Sequence, residues 1–185
     1  MRLNLSDEPA TAELLAEALR RAGGAVITVN GTSMHPTLQM GWRVHLGPLP
    51  PEGLGIGELG VFRGREHLTV HRLIWKETGS AGETLIFRGD YNRLRERIAP
   101  DDVIARVVAI EVPGRQRGLE RTLAVQPDIL TWFYRTCYRL HALLRPLMPR
   151  PRRAPGYAPG PVGRASRALF TAVERVLSAT LRDRR

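Results

Sequence analysis

The apolar positions of this chain change period twice. Over residues 9–22 (PATAELLAEALRRA) Leu14, Leu15 and Leu19 recur at helical spacing, and Gly23-Gly24 stops the pattern. A short amphipathic helix is predicted there. The period then drops to two, in short extended runs at 25–30, 42–47, 58–63, 67–75, 84–88 and 103–112. Gly, Pro and Asn punctuate these runs at 47–57, 64–65, 78–82 and 89–92. Short strands with no long helix between them predict antiparallel pairing in a mainly β fold, a small barrel or folded sheet. The helical period returns at 128–148, where Leu130, Phe133, Tyr134, Cys137, Leu140, Leu144 and Leu147 share a broad face. It returns again at 165–182, with Leu169, Val173, Val176, Leu177 and Leu181 on one side.

The expected organisation is an N-terminal helix (1–24), a β domain (25–112), a connector (113–127) and a helical tail (128–185). A Pro/Gly/Arg-rich linker at 149–164 divides the tail. Arg135, Arg139, His141 and Arg145 interrupt the first tail helix, so it is expected to lie on a surface and not to cross a bilayer. No leader of basic, then apolar, then small residues opens the chain.

Composition alters this picture through charge. The 185 residues carry a formal charge of +10, which is strongly segregated. Residues 1–125 hold 15 Arg and one Lys against 15 acids, whereas 126–185 hold 12 Arg against Asp128, Glu174 and Asp183. A nearly neutral domain therefore carries a basic tail, which suits an anionic partner. An anionic membrane surface is one such partner; the alternatives are that the two tail helices pack on each other or on the β domain, or that the tail recognises a precursor peptide. Nucleic acid is not expected, because 1–24 holds one helix and is too short for a helix-turn-helix. The single cysteine, Cys137, excludes an intrachain disulfide and a cysteine-cluster zinc site. No histidine spacing suggests a metal, and no cofactor is expected.

Candidate chemistry sits in three places. Gly31-Thr32-Ser33-Met34-His35-Pro36-Thr37-Leu38 follows a predicted strand. A serine nucleophile needs a fixed backbone whose amide faces a developing oxyanion, and a base beside it. Gly31 permits unusual dihedrals and Pro36 stiffens the turn. His71 lies within the strand Val70-His71-Arg72-Leu73-Ile74, where alternation groups it with Thr69 and Leu73, opposite Arg72 and Ile74. Phe87-Arg88-Gly89-Asp90-Tyr91-Asn92 ends another strand. Each feature has an ordinary structural reading as a local turn or a satisfied core residue.

Together and in this order they resemble the superfamily of signal peptidase I and the LexA-like repressor peptidases. Ser33-Met34-x-Pro36-x-Leu38-x-x-Gly41 resembles the nucleophile box, and Gly57-Glu58-Leu59-Gly60-Val61-Phe62 is similar to the strand that follows it. Val70-His71-Arg72-Leu73-Ile74 resembles the general-base strand, Gly89-Asp90-x-Asn92 the last box, and Val103 to Val112 the closing strand. The resemblance covers about residues 25–112. It implies a serine endopeptidase without cofactor, acting on a protein or precursor peptide bound as an extended strand, with small residues near the cut. The position of His71 holds lysine in the usual bacterial members and histidine in the archaeal and endoplasmic-reticulum types. Lys76 lies five residues on, an offset expected to turn it to the other strand face, so the expected dyad is Ser33 with His71. A free imidazole titrates near ~6.5 and accepts a hydroxyl proton at neutral pH.

Histidine-type relatives add an acid shortly after the last box. Asp90 and Glu96 are the candidates, with Asp90 expected to be a turn-stabilising carboxylate. The Ser33 amide is expected to form part of an oxyanion hole, with Thr32 a candidate helper. Where membrane-anchored relatives often carry a hydroxyl two residues before the nucleophile, this chain has Gly31. The expected location is cytoplasmic, or peripheral at the inner face of the membrane, without a transmembrane anchor. Two rival readings share the fold: a catalytically inactive peptide-binding module, and a LexA-like regulator that cleaves itself.

Overall fold

A computed structural model describes residues 2–3, 8–64, 67–80, 82–91, 94–112, 121–124 and 129–144. The predicted helix 165–182 and linker 149–164 lie outside these residues, as do Asn92 and Asp128. The elements run β1 (Arg2–Leu3), α1 (Glu8–Ala22), β2 (Ala25–Thr28), β3 (Arg43–Gly47), β4 (Leu59–Arg63), β5 (Leu68–Gly79), β6 (Gly82–Arg88), β7 (Arg95–Ile98), a 3-10 turn (Pro100–Asp102), β8 (Val103–Val112), β9 (Arg121–Ala124) and α2 (Ile129–Leu144). The fold is mainly β. One sheet runs in the order β1-β2-β3-β8-β4-β5-β6-β7, with β9 added beside β8. All pairs are antiparallel except β1 with β2. The ends β1 and β7 do not pair, so of the two architectures expected from the sequence, the folded sheet is the one adopted and not a closed barrel.

Strand β8 is the spine. Its first half pairs with β4 on one edge, its middle pairs with β3 on the other, and its end accepts β9. Register shifts at His45/Leu46 and Val61/Phe62 give the bends that let one strand serve three neighbours. The sheet divides the core in two. Leu15 and Leu19 of α1 pack with Ile27, Met34, Leu38, Val44, Val61 and Val107. Leu130 and Tyr134 of α2 pack with Leu54, Phe62, Leu73, Phe87 and Val103. Strand β4 is buried on both faces because alternate residues, Val61 and Phe62, serve the two clusters. Each such large apolar side chain contributes about 1.5–3 kcal/mol on burial. Helix α1 ends at Gly23, whose left-handed φ of 67° lets its N–H return to the Leu19 carbonyl at 3.0 Å.

Five expectations from the sequence change. The connector 113–127 contains a strand, β9, and the charged segment 95–98 forms β7. Leu140 does not join the buried face of α2 but is exposed, and Thr131 is buried in its place. A bulge between Leu73 and Trp75 breaks the alternation of β5, so Leu73 and Ile74 enter the same core cluster. The same bulge carries Lys76 onto the face of His71, because Lys76 pairs with Leu85 and Leu73 pairs with Phe87, two residues on.

Candidate active site

Ser33 sits in the tight turn 32–38 after β2. The turn is held by His35 N–H to the Thr32 carbonyl at 3.0 Å and Leu38 N–H to the Met34 carbonyl at 2.9 Å. Met34 and Leu38 are buried in the α1-side core and anchor the turn from beneath. Gly31 does not take a left-handed φ, and the His35–Pro36 peptide is cis. From the other side, the Tyr91 N–H donates to the Ser33 carbonyl at 2.8 Å. The Ser33 N–H makes no hydrogen bond among the described residues, which leaves it free to face an oxyanion. Thr32 is exposed and its hydroxyl bonds to none of them.

His71 is buried in the middle of β5, opposite Gly60 of β4 and edge-on to the Phe62 ring at 6.1 Å. Its Nε2 lies 2.9 Å from Ser33 Oγ. Its Nδ1 lies 2.5 Å from Glu96 Oε2. Ser33, His71 and Glu96 therefore form one hydrogen-bonded line. A neutral imidazole whose Nδ1–H donates to the carboxylate presents Nε2 as an acceptor toward the serine.

The topology explains why a glutamate fits. Glu96 is on β7 and His71 on β5, two strands away, an inter-strand distance of about 9.6 Å. Glu96 pairs with Phe87, which pairs with Leu73, so Glu96 shares the face of His71. The β6 position nearest His71 is the one just beyond the Arg72–Arg88 pair, Gly89, which has no side chain to block the span. The glutamate carboxylate reaches across that gap, with its side chain 28% exposed.

Asp90, the other candidate acid, is engaged elsewhere. Its two oxygens accept from Arg72 Nε at 2.8 Å and an Arg72 terminal nitrogen at 2.7 Å. Thr37 donates to the same carboxylate at 2.5 Å. Both side chains of the Arg72–Asp90 pair are 2% exposed. The other Arg72 nitrogen donates to the Gly57 carbonyl and to Thr131 Oγ1, each at 2.8 Å. Arg72 thus ties the nucleophile turn, the loop before β7 and the start of α2 to the strand that carries His71. Sequence alternation gave no sign of this role, since a strand arginine normally points to solvent. Lys76 lies about 15 Å along β5 from His71 and has no hydrogen bond or ion pair among the described residues. His35 meets the Tyr91 ring, and His45 meets Glu111 at 3.2 Å.

A groove of about 390 Å³ adjoins Ser33, walled by Ile27, Val29, Met34, Leu38, Leu68 and Val70. Among the described residues, Leu68–Val70 pair with β4 on one edge only, because pairing with β6 begins at Arg72. An open strand edge therefore borders the groove. No group of His, Cys, Asp and Glu among the described residues is arranged to hold a metal ion. No protein-family model and no curated protein matches the chain.

Proposed function

We propose that the protein is a serine endopeptidase whose catalytic line is Ser33–His71–Glu96. The observation that carries this reading is the pair of contacts on one imidazole, 2.9 Å to a serine hydroxyl and 2.5 Å to a carboxylate. Ser33 Oγ attacks the scissile carbonyl while His71 Nε2 takes its proton. The Ser33 N–H donates to the oxyanion, and Glu96 holds the Nδ1–H and stabilises the imidazolium. The tetrahedral adduct collapses as His71 delivers the proton to the leaving amine. Water, deprotonated by His71, then attacks the acyl carbonyl, and His71 returns that proton to Ser33 Oγ as the ester bond breaks and the acid product leaves. The substrate is a peptide segment added as a strand along Leu68–Val70, with side chains in the apolar groove. The likeness of the boxes at 31–41, 57–62, 70–74 and 89–92 to signal peptidase I and LexA-like peptidases supports the same chemistry.

The test is mass spectrometry of an unstructured peptide library incubated with wild type, Ser33→Ala and His71→Ala. Cleavage by the wild type alone is expected. Cleavage that survives Ser33→Ala sinks the nucleophile, and unchanged binding of intact peptides by all three forms favours the inactive binding module. Loss of intact chain from the wild type alone, without peptide cleavage, favours the self-cleaving regulator.

The outer face of α2 supports an anionic membrane surface as the place of action. No helix among the described residues is long and apolar enough to cross a membrane. Yet Ile129, Trp132, Leu140 and Leu143 are exposed, Trp132 at 60% and Leu143 at 74%. Exposed Arg139 accompanies them, and α2 contains no acidic residue. An apolar face flanked by arginine fits an anionic bilayer interface. Sedimentation with phosphatidylglycerol vesicles, lost in Trp132→Ala/Leu143→Ala and absent with phosphatidylcholine, is the expected result. Equal sedimentation of the double variant refutes the face.

A further inference from the structure

A second cavity, of about 830 Å³, lies between α1 and the sheet. It shares no lining residue with the groove beside Ser33. Its size falls in the range of small-molecule sites. The volume exists because the residues around it are small: Ala18 and Ala22 on α1, Ala25 on β2 and Gly47 on β3. Leu14, Leu46 and Val108 make the wall apolar.

Three basic side chains line this cavity, and two have carboxylate partners. Arg21 pairs with Glu17, and His45 contacts Glu111. The third, Arg106, has no hydrogen bond or ion pair among the described residues. Its Nε is fully buried and without a partner. Arg106 sits on β8 directly between Gly47 of β3 and Gly60 of β4, so neither cross-strand neighbour offers it a side chain. The cost of the unpaired Nε falls on the protein itself, whereas the two terminal nitrogens of Arg106, which lack an ion pair, form the edge of a guanidinium that can grip a carboxylate with two parallel bonds.

We infer that this cavity binds the carboxylate of a single-chain fatty acid on Arg106, with the acyl chain laid along Leu14, Ala18, Leu46 and Val108. An apolar trough with one unpartnered cation matches a ligand that is one apolar chain with one anion. The site is independent of the peptidase reading.

The test is isothermal titration of the full chain with dodecanoate below its critical micelle concentration, beside dodecanol and acetate. One-to-one saturable binding of dodecanoate is expected, with dodecanol at least tenfold weaker and acetate silent. Arg106→Gln removes the charge and withdraws the hydrogen-bonding group along the side chain; it weakens dodecanoate at least tenfold. Val108→Trp fills the trough from an exposed position and abolishes binding while Arg106 remains. Without ligand, Arg106→Met melts at a higher temperature than wild type, and dodecanoate no longer raises its melting point. This melting readout separates the site from binding of acyl anions elsewhere on a basic chain. Equal affinity of wild type and Arg106→Gln, equal affinity for dodecanol, or no saturable binding overturns the proposal.

Discussion

Shortening the acid by one methylene is the sharpest probe of the catalytic line. Glu96 Oε2 is 2.5 Å from His71 Nδ1. Glu96→Asp withdraws the carboxylate by one carbon–carbon bond of about 1.5 Å. The gap then opens to about 4 Å, beyond the ~3.2 Å limit of a good hydrogen bond. The backbone of β7 cannot follow, because Glu96 is pinned opposite Phe87 and Arg95 opposite Arg88. The aspartate thus remains charged and on the correct face but no longer fixes the imidazole. Glu96→Gln does the opposite: it keeps the reach and removes the charge. Loss of an orienting acid costs a serine peptidase on the order of 10⁴-fold in kcat. At ~1.4 kcal/mol per decade, that is about 5–6 kcal/mol of transition-state stabilisation. Both variants are expected at or below about a thousandth of wild-type kcat on the best library peptide. KM should stay within about threefold, because the groove is untouched. Nitrogen-15 spectra of His71 supply the second readout. A single Nδ1–H tautomer is expected in wild type and a mixture in both variants. Wild-type kcat in Glu96→Asp, with the tautomer preserved, would refute the geometry of the line.

Three other outcomes follow from packing. Arg72→Met strands the buried Asp90 carboxylate and should cost about 3–5 kcal/mol in urea denaturation, whereas Arg72→Met/Asp90→Leu should recover much of it; equal losses in the two would refute the pairing. Gly57→Ala places a Cβ within 2.6 Å of Thr131 Cγ2 and 2.8 Å of its Cα at a φ of +87°. It should lower the melting temperature by several degrees, and an unchanged melt would refute the contact between α2 and the β4 approach. Phe62→Ala removes a fully buried ring packed on Phe87 at 4.6 Å and beside His71. The expected loss is about 3–5 kcal/mol by chemical denaturation, and a loss under ~1 kcal/mol would refute its place in the core.

The legible and illegible parts of the sequence differ physically. Short apolar runs bounded by turn residues announce strands, whether one face is buried or two, which is why β3, β4, β6 and β8 lie near the expected runs. Strand β7 reads Arg-Glu-Arg-Ile and sits at the sheet edge, paired with β6 alone. It buries little, so no apolar period marks it, and the acid it carries stayed one of two candidates. Strand β9 has four residues, Arg-Thr-Leu-Ala, too few to show an apolar period. Ser33 and His71 were legible because their chemistry needs a turn and a strand in a fixed order. The bond from Glu96 was not, since it depends on which face β7 presents after a pairing no local pattern encodes. The bulge in β5 shows the converse error. Counting along an ideal strand put Lys76 on the wrong face, because one extra residue reverses every side chain beyond it.

The stretch from Tyr91 to Glu96 works as a spacer of fixed length. Its first residue is fastened to the carbonyl of the nucleophile, and its last residue to the imidazole. The two fastenings lie on opposite sides of His71, so the spacer sets the distance between the turn and the acid. Adding or deleting one residue within it would reverse the sides of β7 and aim Arg95 or Arg97 where the carboxylate belongs. A change of two would restore the side but move the carboxylate about 7 Å along the strand. The positions between its two ends should therefore tolerate changes of residue type far better than changes of length, unlike most surface connections of a folded chain.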